Sequence, residues 1–118
     1  MVEICQYIDP AGKNFFEEWF RKLNAPAAAK ITTALARLEA GNWSNVKGAG
    51  SGVYEYRIDF GPGYRIYFGK DGDHIVILLT GGSKKRQQQD IENAKQYWAA
   101  YKTAQRTARQ DSGTDQGL

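Results

Sequence analysis

Residues 53–68 alternate so regularly between two kinds of side chain that they strongly favour a β-hairpin. The segment VYEYRIDF precedes Gly61-Pro62-Gly63, and YRIYF follows, so a turn signal separates two runs with a two-residue period. Successive side chains of a strand point to opposite faces, and this period is therefore that of two strands. We expect the core face to carry Tyr54, Tyr56, Ile58, Phe60, Ile66 and Phe68. The second face is then left with Val53, Glu55, Arg57, Asp59, Arg65 and Tyr67.

Turn lengths predict which of these residues meet. A three-residue turn at 61–63 places Asp59 opposite Arg65 and Arg57 opposite Tyr67. A two-residue turn at Asp71-Gly72 places Tyr67 opposite Val76. Arg57, Arg65 and Tyr67 then form a cluster. Two interpretations remain at this point, namely an Asp59–Arg65 ion pair on a solvated face and a binding site for a phosphodiester backbone.

The remaining periodicity predicts an α+β fold. Residues 2–8 read as a strand, and Asp9-Pro10 ends it and is expected to start a helix. A second helix follows Asn24-Ala25-Pro26, and residues 41–52 are expected to form a loop, with Trp43 anchored on the core. Strands at about 53–60, 64–69 and 74–80 precede a helix from Gln87 to about Lys102. The order is β-α-α-β-β-β-α, a small antiparallel sheet of about four strands with helices on one face.

Length and composition predict one domain and exclude several classes of site. The 118 residues suit a single modest core, expected over residues 1–103, and the polar residues 104–118 are expected to form a disordered tail. Cys5 is the only cysteine and His74 the only histidine, so multi-cysteine and histidine-rich metal sites are excluded. No signal-peptide or membrane-spanning pattern is evident, which makes the cytoplasm the expected location.

The charge is concentrated in the second part of the chain. Residues 1–46 carry five basic and five acidic side chains, whereas residues 47–118 carry eleven and eight. Three of the basic residues are consecutive, Lys84-Lys85-Arg86, directly after Gly81-Gly82-Ser83 and before a helix. Cations are mildly unfavourable at a helix N-terminus, so the run is either a solvated loop or a place where a phosphate collects. The double glycine either lets another backbone approach this part of the chain closely or simply ends the strand.

These motifs together resemble a known family. The stretches VYEYR, FGPGYRIY and LLTGGSK, then Gln87 and the segment DIENA at 90–94, are similar to addiction-module killer proteins, the HigB-like branch of the RelE superfamily of type II toxins. The resemblance covers roughly residues 2–101, and the strand and helix order is also similar to the fold of that family. It implies a toxin that cuts mRNA, usually at the ribosome, and that is silenced by a cognate antitoxin.

The resemblance also implies residue roles. Arg65, Arg57 and Lys84 match the basic positions of the middle strand, of the preceding strand and of the double-glycine motif. Lys47 matches a further basic position. The family uses no metal and no cofactor, because the ribose 2′-hydroxyl attacks its own 3′-phosphate. The predicted catalytic residues are therefore Arg57, Arg65, Tyr67 and Lys84. The predicted RNA-binding residues are Lys47, Lys85 and Arg86.

This chemistry suits the side chains present. Arg57 and Arg65 can clamp a phosphate through forked donors, and Lys84 or Lys85 can take up a proton or stabilise charge. Tyr67 can donate a hydrogen bond, protonate the leaving group or stack on a base. The expected partners are mRNA, the ribosome and an antitoxin with a helix-turn-helix domain that covers the cationic face or displaces the tail. The alternatives are a non-catalytic RNA- or ribosome-binding relative and a phage accessory interaction domain.

Overall fold

The described part of the chain forms a five-stranded sheet flanked by three helices. The computed structural model describes residues 1–116, and side chains are described as far as residue 108. The elements in chain order are β1 (Glu3–Gln6), α1 (Phe15–Arg21), α2 (Ala25–Glu39), β2 (Val46–Gly50), β3 (Val53–Ile58), β4 (Tyr64–Asp71), β5 (Ile75–Ser83) and α3 (Gln87–Gln116), with a 3-10 turn at Lys84–Arg86 between β5 and α3.

The sheet order is β1-β5-β4-β3-β2. β1 runs parallel to β5, and the other neighbours are antiparallel. The α+β class is therefore confirmed, but the prediction of about four antiparallel strands is wrong. The strand that sequence reasoning missed is β2, which lies in the predicted loop 41–52. Its sequence VKGAG has low strand propensity, and it becomes a strand because it pairs with β3.

Helices cover both faces of the sheet, which corrects the prediction of helices on one face. α1 and α2 pack on the face that carries Tyr56, Ile58, Ile66 and Phe68, as expected. Trp43 also joins this side, where its ring meets those of Tyr54 and Phe68. On the second face, Ala94 and Trp98 of α3 pack against the buried residues Val53, Tyr67, Ile77 and Leu79.

The N-termini of α1 and α2 are set by asparagine caps. The Asn14 side chain accepts a hydrogen bond from the Glu17 backbone at 3.0 Å, and Asn24 does the same for Ala27 at 2.9 Å. Asp9 was expected to start the first helix, but its carboxylate accepts the backbone N–H groups of Ala11 and Lys13 in a turn. The first helix consequently begins at Phe15.

The hairpin pairs two residues out of the predicted register. Arg57 lies opposite Arg65 and Glu55 lies opposite Tyr67, so the predicted Asp59–Arg65 pair does not form. The shift is even, and the predicted faces are therefore preserved. Between β4 and β5 the shift is larger, because β4 extends to Asp71 and an irregularity follows Tyr67; Tyr67 lies opposite Thr80 rather than Val76.

The last helix is longer than predicted. α3 begins at Gln87, as expected, but it continues to Gln116 instead of ending near Lys102. Residues 104–116, expected to form a disordered tail, are helical, and residues 117 and 118 lie outside the described residues. The limit of the domain at residue 103 stays a prediction.

Candidate functional site

A buried carboxylate holds the two hairpin arginines together. Arg57 and Arg65 lie directly opposite each other on β3 and β4, where two like charges repel. Between them, Glu55 Oε1 accepts a hydrogen bond from Arg57 Nε at 2.8 Å and lies 4.0 Å from Arg65 Nε. The other oxygen, Oε2, accepts a hydrogen bond from Gln87 Nε2 at 2.8 Å. Glu55 therefore links β3, β4 and the start of α3.

Only one of the clustered candidates reaches the surface. The Arg57 side chain is 42% exposed, whereas that of Arg65 is 6% exposed and Tyr67 is fully buried. The expectation of an open cationic sheet face is wrong, because α3 covers Arg65 and Tyr67. Both side chains are therefore largely closed to a ligand that approaches from solvent.

The covered part of the cluster is polar but incompletely paired. Among the described residues, Arg65 Nε, Tyr67 Oη and Asp90 Oδ2 find no hydrogen-bond partner. Burial, followed by the nearby charges of Glu55 and Asp90, raises the pKa of Tyr67, against the opposing effect of Arg65 and Arg57. The phenol therefore stays protonated at neutral pH. A buried polar group without a partner costs about 1–3 kcal/mol. The packing of the start of α3 on the sheet is therefore less stable than it would be if these groups were paired.

The double glycine permits close packing on both faces of β5. A side chain at Gly81 would collide with the Trp19 ring of α1, and one at Gly82 would collide with the Asp90 carboxylate of α3. Neither of the two interpretations left open applies: β5 continues to Ser83, and the groups that lie against the double glycine are side chains of this protein and not a backbone. Asp90 is 8% exposed and lies above Gly82, the residue opposite Arg65.

Asp90 is expected to make stability depend on pH. Burial raises its pKa, and Arg86 opposes the effect. A raised pKa in the folded state means that folding favours the protonated form, so wild-type stability falls as pH rises through that pKa. We expect Asp90→Asn to raise the melting temperature at pH 7 and the difference to vanish below about pH 4, the usual range for aspartate.

Thermal unfolding from pH 3 to 8 measures this effect. Glu92→Gln is the matched control, because Glu92 is an exposed carboxylate two residues further along the same helix. A lower melting temperature for Asp90→Asn at pH 7 would contradict the expectation. It would mean that the attraction between the Asp90 carboxylate and the positive end of the α3 dipole outweighs the cost of burying the charge.

The basic run lies beside the turn of the hairpin. Lys84, Lys85 and Arg86 are exposed, and the Lys84 backbone N–H donates to the Gly63 carbonyl at 2.8 Å. Lys84 also lines a hollow of about 390 Å³, here called the hairpin hollow, together with Asp59, Phe60 and residues 61–63. The fold thus brings the basic run 84–86 to the same end of the sheet as the hairpin, whose strand β3 carries the exposed Arg57.

The remaining candidate and the missed residues complete the cluster. Lys47 is exposed on β2 and lies opposite Glu55. Sequence reasoning gave no functional part to Glu55 and Gln87, which connect the arginines to α3, or to Asp90, which lies over Gly82. The available signal was the alternation that already placed Glu55 on the face of Arg57 and Arg65. Within residues 1–108, no group of His, Cys, Asp and Glu side chains could hold a metal ion, and no helix within residues 1–116 is long and apolar enough to cross a membrane.

The fold and the site describe a small α+β protein with a mixed five-stranded sheet and exposed cations at one end of it. Comparison with known families then shows which family the protein belongs to. The chain matches the family described as phage-derived protein Gp49-like (DUF891) over residues 18–110. It therefore belongs to the Gp49-like family, a toxin-like family related to the RelE/HigB superfamily. The narrower HigB assignment stays a prediction.

A relative from Haemophilus influenzae supports the same placement. It is 44% identical over 81 residues, which make up 68% of this chain and 82% of the relative. The relative is described only as an uncharacterized protein, so it adds family membership and no activity.

Proposed function

We propose that this protein is the toxin of a type II toxin–antitoxin module and a metal-independent endoribonuclease of the HigB-like branch. The observation that carries the proposal is the 2.8 Å hydrogen bond from the Lys84 backbone to Gly63. It joins the basic run to the hairpin that carries Arg57 and Arg65. Because the chain belongs to a toxin-like family, we favour a phosphodiester substrate for these cations over a small-molecule ligand.

The proposed reaction needs no nucleophile from the protein. The ribose 2′-hydroxyl attacks the adjacent phosphorus, the bond to the 5′-oxygen breaks, and a 2′,3′-cyclic phosphate and a 5′-hydroxyl result. Negative charge builds up on the phosphorane oxygens, and donors already held in place lower that barrier. Arg57 is exposed and oriented by Glu55, so we assign it the phosphate contact. Lys84 supplies a second cation or moves a proton.

Arg65 and Tyr67 have a different part in this proposal. Both are buried, and Arg65 acts by balancing Glu55, which in turn orients Arg57. We regard Arg65 as a positioning residue unless α3 opens during turnover. The burial of these two predicted catalytic residues also favours the second candidate function, a relative that binds RNA or the ribosome without cutting.

An antitoxin remains part of the proposal. A helix-turn-helix protein with an acidic segment would be attracted to the exposed cations Lys84–Arg86 and Lys47. Because α3 already covers the sheet face, such a segment would bind at the rim of that face or displace α3.

Induced expression tests the proposed function. We expect the wild type to arrest growth and to produce new mRNA ends inside translated codons, mapped by primer extension, and Lys84→Ala to lose most of both effects. Lys22→Ala is the control, because Lys22 is an exposed lysine at the end of α1. Arrest without new RNA ends would favour the binding-only relative, and absence of both would refute the toxin assignment. Lys85→Ala and Arg86→Ala, measured alongside, decide which cation of the run matters.

A further inference from the structure

A second hollow, which is cationic, continues from the hairpin hollow onto α2. It has a volume of about 480 Å³ and is formed by α2, the segment before β2, and the end of β3. This hollow, here called the α2 cleft, is within the range of about 300–1,000 Å³ that is usual for ligand sites. Its charged lining residues are Lys30, Arg37, Lys47, Arg57 and Asp59, four cations against one carboxylate.

Most of this positive charge is not neutralised within the protein. Ion pairs elsewhere occupy the exposed cations Lys13 and Arg21. In the part of the chain that the structure describes, Lys30, Arg37 and Lys47 form no ion pair with any carboxylate. Like charges that gather in one cleft without counterions raise the local potential and attract an anionic ligand.

The cleft is held in shape by ordinary elements of the fold. Lys30 and Arg37 are two turns apart on α2, so they share one side of the helix, with the buried Ala34 between them. Lys30 Nζ lies 5.3 Å from the centre of the Phe60 ring, a cation–π contact that keeps the lysine at the cleft wall. The Arg57 backbone N–H donates to the Asn45 carbonyl, which ties the opposite wall to the hairpin.

The cleft and the hairpin hollow form a continuous path. Asp59 and Phe60 line both of them, Arg57 lines the cleft, and Lys84 stands at the far end of the hollow. The apolar members of the cleft lining, such as Ala34, Tyr56 and Ile58, are buried in the core. Amphipathic helices and proline-rich segments need accessible apolar grooves, so the accessible surface here suits an anionic chain, and the regularly spaced phosphates of RNA are the anions that the proposed function supplies.

We propose that the α2 cleft binds the stretch of single-stranded RNA next to the phosphate that Arg57 contacts, with Lys30 and Arg37 contacting its backbone. The proposal rests on the proposed function and extends its RNA site beyond the hairpin. Backbone contacts of this kind add affinity with little sequence preference, and they weaken as salt concentration rises.

Binding of a short 2′-O-methyl RNA, which cannot be cut by its own 2′-oxygen, tests the proposal by fluorescence anisotropy over a range of salt concentrations. Lys30→Gln/Arg37→Gln is compared with Lys22→Gln/Arg106→Gln, which removes one lysine and one arginine from exposed positions outside the cleft. We expect the cleft variant to bind about tenfold more weakly and to lose about 1.4 from the slope of log K against log salt, about 0.7 for each phosphate contact. The control variant should keep both values near those of the wild type.

The other outcomes separate this proposal from the proposed function. Equal slopes for the two double variants would overturn the assignment of the cleft, even if the wild type cuts RNA. Loss of polyglutamate binding by the cleft variant, with RNA binding unchanged, would also overturn it and identify a protein-docking surface. Wild-type binding with the expected loss, but no cutting of unmodified mRNA either free or on translating ribosomes, would support the cleft and refute the nuclease. No RNA binding at low salt would overturn both.

Discussion

Arg57→Ala is expected to lower the rate of RNA cleavage by about 10²–10³-fold, the usual cost of removing one donor that stabilises transition-state charge. Arg57 is the exposed member of the arginine pair, and its Nε is fixed by Glu55 at 2.8 Å. The fold should survive, because Glu55 keeps its hydrogen bond to Gln87. Single-turnover cleavage of a labelled RNA measures the effect. Arg57→Lys should recover only part of the rate, since lysine lacks the forked donors.

Arg21→Ala is the matched control for this experiment. Arg21 also donates from Nε to a glutamate, Glu17 at 3.3 Å, and its side chain is 73% exposed. It lies at the end of α1 and outside both hollows. Equal rates for Arg57→Ala and the wild type would remove Arg57 from the site and favour the binding-only relative.

Glu55→Ala is expected to lower the free energy of unfolding by about 3–5 kcal/mol, the range for breaking one side of a buried ion pair. The substitution leaves two arginines directly opposite each other, one of them 6% exposed, without their counterion. It also removes the acceptor of Gln87. Guanidinium unfolding followed by circular dichroism measures the loss. Glu17 also pairs with an arginine but its side chain is 37% exposed, so Glu17→Ala should cost about 1 kcal/mol or less.

A double variant separates the role of charge from that of packing. Glu55→Met/Arg65→Met removes the acid and the buried base together and fills similar volume, so it should recover much of the lost stability. A double variant as unstable as Glu55→Ala would show that the hydrogen bonds to Gln87 and Arg57, rather than the unpaired Arg65, account for the loss. A Glu55→Ala protein as stable as the wild type would contradict the view that Glu55 holds the cluster together.

The sequence contains enough to divide the hairpin into two faces. The two-residue period of 53–68 places Tyr56, Ile58, Ile66 and Phe68 on the α1–α2 side, as predicted. That result survives a register error of two residues, because an even shift leaves every side chain on its own face. The predicted residue-by-residue pairing was wrong, because the pairing depends on where each strand ends and on the irregularity after Tyr67.

β2 and the length of α3 could not be predicted from local signals. The segment VKGAG forms a strand through its antiparallel pairing with β3. Such pairing depends on tertiary context, which the strand propensity of the segment does not contain. The polar composition of residues 104–116 is typical of a tail, yet these residues continue the helix that begins at Gln87.

Alternation along a strand is a local property of the backbone, so the amino-acid sequence is sufficient to assign the residues on the second face of the hairpin. The accessibility of these residues depends on the packing of the whole chain. The apolar side of α3 shows that the helix packs on something, but periodicity does not specify which face of the sheet it covers. By packing Ala94 and Trp98 over that face, α3 buries Arg65 and Tyr67 and leaves Arg57 and Lys84 at the surface. Burial depends on contacts between residues far apart in the chain, which is why it had to be read from the fold.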